Sequence, residues 1–240
     1  MTDFGKLEEL SASELLSWAL TTFGNEFAIA SSFQKEEMVI ADLAARVTPG
    51  FRIFTLDTGR LPEETYQMME AVRQRYGVKV ESVFPDREEV EQMVAQHGPN
   101  LFYGSAEARH MCCDIRKTRP LGRKLRELRA WATGLRREQS VTRSGVPKVE
   151  EVEGRVKLSP LADWRAAQVE EYTRQHDLPV HPLYARGYAS IGCAPCTRAI
   201  QPGEDERAGR WWWEQGKKEC GIHFSEDGSV RRDVLSGKNA

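Results

Sequence analysis

Five cysteines fall into a pattern that could carry chemistry. Cys112 and Cys113 are adjacent, Cys193 and Cys196 form a C-x-x-C motif, and Cys220 stands alone near the C-terminus. Two pairs of thiols and one separate thiol suggest four ligands for a shared group and one cysteine with a different role.

Three interpretations compete for the four paired cysteines. A structural zinc ion accepts four thiolates, but it usually takes them from two C-x2–4-C loops. The adjacent Cys112 and Cys113 suit one small tetrahedral ion poorly, since neighbouring side chains diverge by about 100° on a helix. An iron–sulfur cube is larger, so adjacent thiolates can each reach a different iron. A redox disulfide between Cys193 and Cys196 would leave the first pair unexplained. The spacing favours metal ligation, with a cluster ahead of zinc and the disulfide last.

Basic residues follow the first cysteine pair. Between Ile115 and Arg137 lie nine Lys or Arg residues and a single acid, Glu127. Such a run is usually a solvated helix face, and a nucleic-acid groove is a second ordinary explanation. Arg116 and Lys117, one helical turn past the pair, would also stabilise the net negative charge of a cluster held by four thiolates.

Cys220 lies in the sequence KKECGIHF. Lys217 and Lys218 favour the thiolate form of Cys220, whereas Glu219 favours the neutral thiol. His223 could pair with a thiolate or with an anionic substrate. On these grounds alone, a nucleophile and an incidental thiol explain Cys220 equally well.

The spacing of apolar residues predicts an α/β fold that positions these groups. Short apolar runs of strand length alternate with stretches of helical periodicity, which is typical of βαβ units and a parallel sheet flanked by helices. The predicted strands are 27–33, 51–60, 78–85, 129–135 and a short fifth within 150–161, and the predicted helices are 7–23, 34–47, 62–76, 87–96 and 166–176.

Three predicted strands end in residues that suit a ligand. Their carboxyl ends carry Ser31-Ser32, Asp57-Thr58-Gly59 and Gly134–Arg137. In open parallel sheets, ligands bind at the carboxyl ends of strands. Small, hydroxylic and basic side chains at one sheet edge therefore predict a phosphate-bearing ligand, although turns also favour Gly, Ser and Asp for structural reasons.

The composition fits one α/β domain. The chain has 240 residues, of which 40% are hydrophobic and 29% charged. No apolar run approaches the roughly 20 residues that cross a bilayer. The N-terminus lacks the basic and apolar regions of a secretory signal. We therefore expect a cytoplasmic protein with reduced thiols and no membrane association. The polar residues 225–240 predict a flexible C-terminal tail.

Taken together, the motifs resemble the assimilatory adenylyl-sulfate reductases of bacteria and plants. The resemblance spans roughly 27–224. It rests on Cys112-Cys113 with Arg116-Lys117, then GCAPCTR, then ECGIHF, and on SSFQKEE, LDTGRLPEETY and TGLRREQS after three of the strands. It implies an adenine-nucleotide α-hydrolase-like (PP-loop-related) fold in a single domain, 1–224, with a nucleotide-binding core at 27–176 and a cluster and catalytic segment at 181–224. SSFQKE replaces the Gly-rich SGGxDS turn of relatives that cleave ATP, a departure that fits an enzyme that does not cut a pyrophosphate.

The resemblance implies thioredoxin-dependent reduction of adenosine 5′-phosphosulfate to sulfite and AMP. Cys220, on a mobile segment, would attack the sulfur to give a Cys-S-sulfonate and AMP, and thioredoxin would then release sulfite through a mixed disulfide. It also implies one [4Fe-4S] cluster on Cys112, Cys113, Cys193 and Cys196. That cluster would act electrostatically and structurally, because thioredoxin supplies both electrons.

The same resemblance suggests which side chains handle an anionic nucleotide. Catalysis would use Cys220 with Lys117 and His223. The further cations expected at the substrate are Arg136, Arg137, Arg198 and Arg207. The residues expected to line the nucleotide pocket through backbone and hydroxyl groups are Ser31, Ser32, Asp57, Thr58 and Gly134.

Two other functions stay open at this point. A phosphoadenylyl-sulfate reductase would act on the 3′-phosphorylated nucleotide, although enzymes of that branch generally lack the four cysteines. A zinc-stabilised RNA-binding or tRNA-thiolation protein of the same superfamily would use the basic run on RNA, whereas we expect no nucleic-acid partner. Trp211-Trp212-Trp213 would either anchor a helix in the core or form a thioredoxin docking patch. The sequence is silent on oligomeric state and compatible with a homo-oligomer.

Overall fold

The computed structural model describes residues 4–139 and 143–214, together with the backbone of two short strands at 223–224 and 230–231. The helices are α1 (Phe4–Glu8), α2 (Ala12–Phe23), α3 (Lys35–Val47), α4 (Glu63–Tyr76), α5 (Arg87–His97), α6 (Ala106–Cys113), α7 (Arg119–Leu125) and α8 (Ala166–Gln175). The strands are β1 (Phe27–Ala30), β2 (Ile53–Leu56), β3 (Val80–Val83), β4 (Ala130–Ala132), β5 (Val149–Val152), β6 (Arg155–Leu158), β7 (His223–Phe224) and β8 (Val230–Arg231).

In the described part of the chain, six strands form one sheet in the order β3-β2-β1-β4-β6-β5. All neighbours pair in parallel except β5, which pairs antiparallel with β6. The chain runs outward from β1 to β2 and β3 and then returns to the other side of β1 as β4. This reversal opens a crevice between the carboxyl ends of β1 and β4, which is the usual ligand site of such sheets.

Helices cover both faces of the sheet because alternate strand residues point to opposite faces. On β1, Phe27 and Ile29 join a core with α2, α3, α4 and α8, whereas Ala28 joins a second core with Leu121 and Leu125 of α7. The predicted parallel sheet flanked by helices is therefore confirmed. No helix among the described residues is long and apolar enough to cross a membrane.

The predicted fifth strand is two strands. Residues 149–158 form an antiparallel hairpin, β5–β6, whose two turn residues are Glu153 and Gly154. Both have positive φ, 52° and 72°, as a two-residue type I′ turn requires. Only β6 extends the parallel part of the sheet.

The first cysteine pair lies in a helical segment that the apolar pattern does not predict. Helix α6 ends at Cys113, a π-helical turn covers Asp114–Thr118, and α7 follows directly. A third apolar cluster joins this segment to the C-x-x-C motif through Ile115, Cys193, Cys196 and Trp211. The sheet and this cluster together position the site. Of the predicted flexible tail, 225–240, the structure describes only the backbone of β8.

Candidate active site

A cavity of about 490 Å³ lies at the crevice between β1 and β4. Its wall combines the loop after β1, the first turn of α3, the loop after β4 and two segments near the C-x-x-C motif. The residues that line it include Ser32, Gln34, Lys35, Glu36, Glu37, Lys117, Gly134, Arg136, Gln139, Arg143, Glu170, Tyr184, Ser190, Glu206, Arg207, Arg210 and Trp211.

The loop after β1 is organised by its own hydroxyl groups. The backbone N–H of Phe33 donates to Ser31 Oγ over 3.0 Å, which holds the buried Ser31 hydroxyl within the turn. Ser32 Oγ donates to Glu37 Oε2 (3.2 Å) and accepts from Gln34 Nε2 (2.8 Å). Helix α3 begins at the wall of the cavity, since Gln34, Lys35, Glu36 and Glu37 all line it.

The carboxyl groups of Glu36 and Glu37, at the start of α3, have different surroundings. Glu36 pairs with Arg136, whose Nε lies 2.8 Å from Glu36 Oε1, and both side chains are nearly buried. Burial, reinforced by the negative charge of Glu36, raises the pKa of Glu37 to about 8. At neutral pH Glu37 is therefore largely protonated, which lessens its repulsion of an anion in the cavity.

The four paired cysteines line a second, smaller cavity, together with Arg60, Phe102, Arg109, Arg116, Lys117 and Pro195. None of these four cysteines is in a disulfide, so Cys193 and Cys196 are not bonded to each other in this structure. Burial raises the pKa of Cys196 to about 12, with a further upward effect from Cys193. A buried thiol of this kind stays protonated and is a poor nucleophile, and it becomes a thiolate when a metal binds the sulfur and displaces the proton.

The second cavity is tied to the end of β2. Thr58 Oγ1 lies 3.2 Å from Cys193 Sγ, and Arg116 Nη1 donates to the Thr58 carbonyl over 2.6 Å. Asp57 accepts from the backbone N–H of Gly59 (2.9 Å) and from the Tyr66 hydroxyl (3.0 Å). The turn after β2 therefore positions the cysteines, and Thr58 and Asp57 do not line the nucleotide-sized cavity.

Lys117 lines both cavities. It lies on the π-helical turn just after Cys112-Cys113, so a cation at the boundary is placed by the same helix as two of the thiols. An anion in either cavity would therefore be attracted to the same ammonium group.

A family model described as the phosphoadenosine phosphosulfate reductase domain matches residues 26–199. The chain belongs to this family. A relative from Burkholderia cepacia named adenosine 5′-phosphosulfate reductase is 51% identical over 199 residues, which cover 82% of this chain and 80% of that protein. A relative of the same name from Allochromatium vinosum is 46% identical over 228 residues, covering 94% and 89%. The crystal structure of a phosphoadenylyl-sulfate reductase from Candida auris in a phosphate complex shares 28% identity with a TM-score of 0.68, covering 80% of this chain and 92% of that one.

The structure divides the predicted substrate residues of this reductase-family chain into two groups. Lys117, Ser32, Gly134, Arg136 and Arg207 line the larger cavity. The others are engaged elsewhere in the described structure. Arg137 donates from Nε to the Val146 carbonyl (2.8 Å).

Arg198, also predicted at the substrate, pairs with Glu204 on the surface, with Nη1 2.8 Å from Oε2. Both arginines are therefore committed to local contacts, and their role at the substrate stays a prediction. Cys220 lies outside the described residues, and the structure describes only the backbone of His223, so their predicted roles stay predictions as well.

Arg210 is a cavity residue that the sequence analysis missed. It is 7% exposed and stacks on Trp211, with its guanidinium carbon 4.8 Å from the ring centroid. Its Nη1 donates to the Ile191 carbonyl (3.2 Å), while its buried Nε has no hydrogen-bond partner among the described residues. Arg210 forms an isolated antiparallel bridge with Thr197, and this pairing brings it to the cavity. No local sequence pattern predicts such a pairing.

The charged residues at the start of α3 were also missed as cavity residues. Lys35 pairs with Glu170 and lies 4.4 Å from the Tyr184 ring centroid. Their position in the sequence could have indicated this role. They directly follow a strand at the crevice, and ligands bind at the carboxyl ends of such strands.

Proposed function

We propose that this chain reduces adenosine 5′-phosphosulfate to sulfite and AMP in sulfate assimilation. The names of the two relatives above support the activity, since both match this chain over most of their length. The observation that carries the proposal is the position of Lys117, which lines both the nucleotide-sized cavity and the cavity of four cysteines.

The larger cavity suits a phosphosulfate anhydride. Six cations lie on its wall: Lys35, Lys117, Arg136, Arg143, Arg207 and Arg210. Guanidinium and ammonium groups are the strongest partners of phosphate and sulfate oxygens. We place the phosphosulfate among these cations, with the first turn of α3 contributing backbone N–H groups.

Cys220 supplies the nucleophile in the proposed reaction. Its thiolate attacks the sulfur of the anhydride, a sulfur–sulfur bond forms, and the bond from sulfur to the phosphate oxygen breaks as AMP leaves with the electron pair. The product is a Cys220 S-sulfonate. Charge neutralisation by Lys117 and neighbouring arginines reduces the repulsion between the thiolate and the anionic substrate.

A dithiol protein, thioredoxin, completes the reaction. One of its thiolates attacks Sγ of Cys220, and sulfite leaves with the electron pair of the broken sulfur–sulfur bond. The second thiol of the donor then resolves the mixed disulfide and restores the Cys220 thiol. The donor loses two electrons and becomes a disulfide, which balances the reduction to sulfite.

The four paired cysteines fit one [4Fe-4S] cluster in this proposal. They share a small cavity whose lining residues include four cations and no carboxylate, so an anionic group is electrostatically favoured there. Among the described side chains, no three His, Cys, Asp or Glu are grouped to hold a metal ion, so the proposed cluster rests on the two cysteine pairs and on the cations around them. When bound, the cluster would supply negative charge and a rigid link between the two cysteine segments. A cytoplasmic location goes with this chemistry, because thiols remain reduced there.

The main alternative is the 3′-phosphorylated nucleotide, which the Candida auris neighbour is named for. Glu36, Glu170 and Glu206 also line the cavity, and their carboxylates would oppose a further phosphate. We therefore favour adenosine 5′-phosphosulfate. Comparing sulfite release from the two nucleotides decides the point, and a strong preference for the 3′-phosphorylated form would overturn our choice.

The covalent step is tested with Cys220→Ser. Incubation with labelled nucleotide in the absence of a thiol donor should leave an S-sulfonate on the wild-type protein and none on the variant. Nucleotide binding and iron content should be the same in both, because Cys220 is not among the proposed ligands. A normal sulfonate yield in the variant, or wild-type protein without iron on its four paired cysteines, would contradict the proposal.

A further inference from the structure

Arg109 and Glu214 form a buried ion pair, and Glu214 is the last residue of the described range 143–214. Arg109 donates from Nε to Glu214 Oε1 over 2.6 Å and from Nη2 to Glu214 Oε2 over 3.0 Å. The side chains are only 3% and 13% exposed. Such a two-bond fork fixes orientation as well as distance.

The pair joins the chain after the C-x-x-C motif to the helix of the first cysteine pair. Arg109 lies on α6, one turn before Cys113. Its guanidinium carbon is 4.5 Å from the ring centroid of Trp211, which is 1% exposed. The Trp211 backbone N–H donates to the Cys196 carbonyl (3.2 Å), and the Glu214 N–H donates to the Trp211 carbonyl (2.9 Å). The turn 211–214 is therefore held at both cysteine segments.

We propose that the Arg109–Glu214 pair is a positioning element that fixes the starting point of the segment carrying Cys220. This inference rests on the proposed function. Cys220 follows Glu214 by six residues, and six extended residues span at most about 20 Å. The position of Glu214 therefore limits where the thiolate can go, and the cysteine helix determines that position.

The size of the effect depends on how far the reacting atoms move. Without the pair, the nearest packed side chain is Trp213, seven residues before Cys220, whose ring centroid lies 4.5 Å from that of Tyr103. The effective concentration of a tethered group falls roughly as the −3/2 power of tether length, so lengthening from six to seven residues alone costs only about 1.3-fold. The larger expected effect is misplacement, since a displacement of the reacting atoms by about 1 Å can cost about 100-fold.

The test uses Glu214→Gln rather than a change at Arg109, because Arg109 also lines the cysteine cavity. In single-turnover reactions without a thiol donor, we expect the rate of Cys220 sulfonation at saturating nucleotide to fall by more than the roughly 1.3-fold that tether length alone gives, and by up to about 100-fold where the reacting atoms are displaced by about 1 Å. The affinity for AMP, the iron content and the alkylation rate of Cys220 by iodoacetamide should not change. Glu214→Asp keeps the charge on a side chain that is one methylene shorter, so it should hold Arg109 less closely and show a smaller loss of the same kind.

Glu91→Gln is the matched control, since Glu91 pairs with Arg87 across 3.7 Å on the surface of α5. It should leave every readout unchanged. Wild-type sulfonation rates in both Glu214 variants would refute the positioning role. A parallel loss of AMP affinity would refute it as well, because the pair would then act through the cavity. If the wild-type protein itself forms no sulfonate on Cys220, the proposed function fails instead, which is a distinguishable result.

Discussion

Adding one methyl group at Gly134 should damage both stability and nucleotide binding. Gly134 lies just after β4, at the wall of the larger cavity, against the first turn of α3. A Cβ built there would lie 2.5 Å from Glu37 Oε1, 2.8 Å from Glu36 Cβ and 2.9 Å from Glu37 Cδ. Since unstrained carbon contacts are about 3.5–4.0 Å, the neighbours must move by roughly 0.7 Å or more.

The two glutamates cannot easily give way. Glu36 is held by Arg136, and Glu37 Oε2 accepts from the backbone N–H of Gln34 over 3.2 Å. The start of α3 must therefore shift with them. Overpacking of this kind costs about 1–3 kcal/mol, which is about 5- to 150-fold in an equilibrium constant. Because the start of α3 also lines the cavity, AMP affinity should fall within the same range.

Urea unfolding and calorimetric titration with AMP measure the two effects. Gly134→Ala should lower the midpoint of unfolding with an unchanged slope. Gly122→Ala is the control, because a Cβ at Gly122 in α7 meets nothing within 4 Å. That change should stabilise the helix by about 0.5–1 kcal/mol. A Gly134→Ala protein that is as stable as the wild type and binds AMP equally well would refute the packing argument.

Two further predictions concern pH. Ionisation of Glu37 as the pH rises through its raised pKa of about 8 should increase the KM for the anionic nucleotide. Between pH 7 and 9.5, the KM of Glu37→Gln should not show this rise. An identical rise in the variant would contradict the prediction. Burial lowers the pKa of His181, whose Nε2 lies 3.1 Å from Thr65 Oγ1. Protonation therefore favours the unfolded chain, so stability present above the unfolded pKa of about 6.5 should decline as the pH falls through it. The urea midpoint of unfolding should depend less on pH between 7 and 5 in His181→Gln than in the wild type. An equal pH dependence in the two proteins would exclude a contribution from His181.

The alternation of short apolar runs and helical stretches was enough to predict the sheet. Each of the first four predicted strands overlaps an observed parallel strand, and the crevice follows from their order. Ser32, Gly134 and Arg136 could be placed at the cavity for the same reason, because residues at strand ends share one edge. The β5–β6 hairpin was harder to predict from the sequence, since Glu153-Gly154 is a weaker turn signal than Asn-Gly or Asp-Gly.

Side-chain direction could not be read from sequence position. Arg136 and Arg137 are adjacent and equally basic, yet only Arg136 lines the cavity, while Arg137 donates to the Val146 carbonyl. The three tryptophans divide in the same way. Residues 211–213 form a turn and not the predicted helix. Trp211 is 1% exposed and is buried as a core anchor, whereas Trp212 is 47% exposed. These outcomes depend on tertiary partners many residues away.

The π-helical turn explains how one helix can serve two cavities. Cys112 and Cys113 lie at the end of α6, and the wider turn that follows carries Arg116 and Lys117. Arg116 is committed to the Thr58 carbonyl beneath the cysteines, whereas Lys117 reaches the boundary of the nucleotide-sized cavity. An anionic group on the four thiols and an anionic substrate would therefore both be attracted to the same ammonium group.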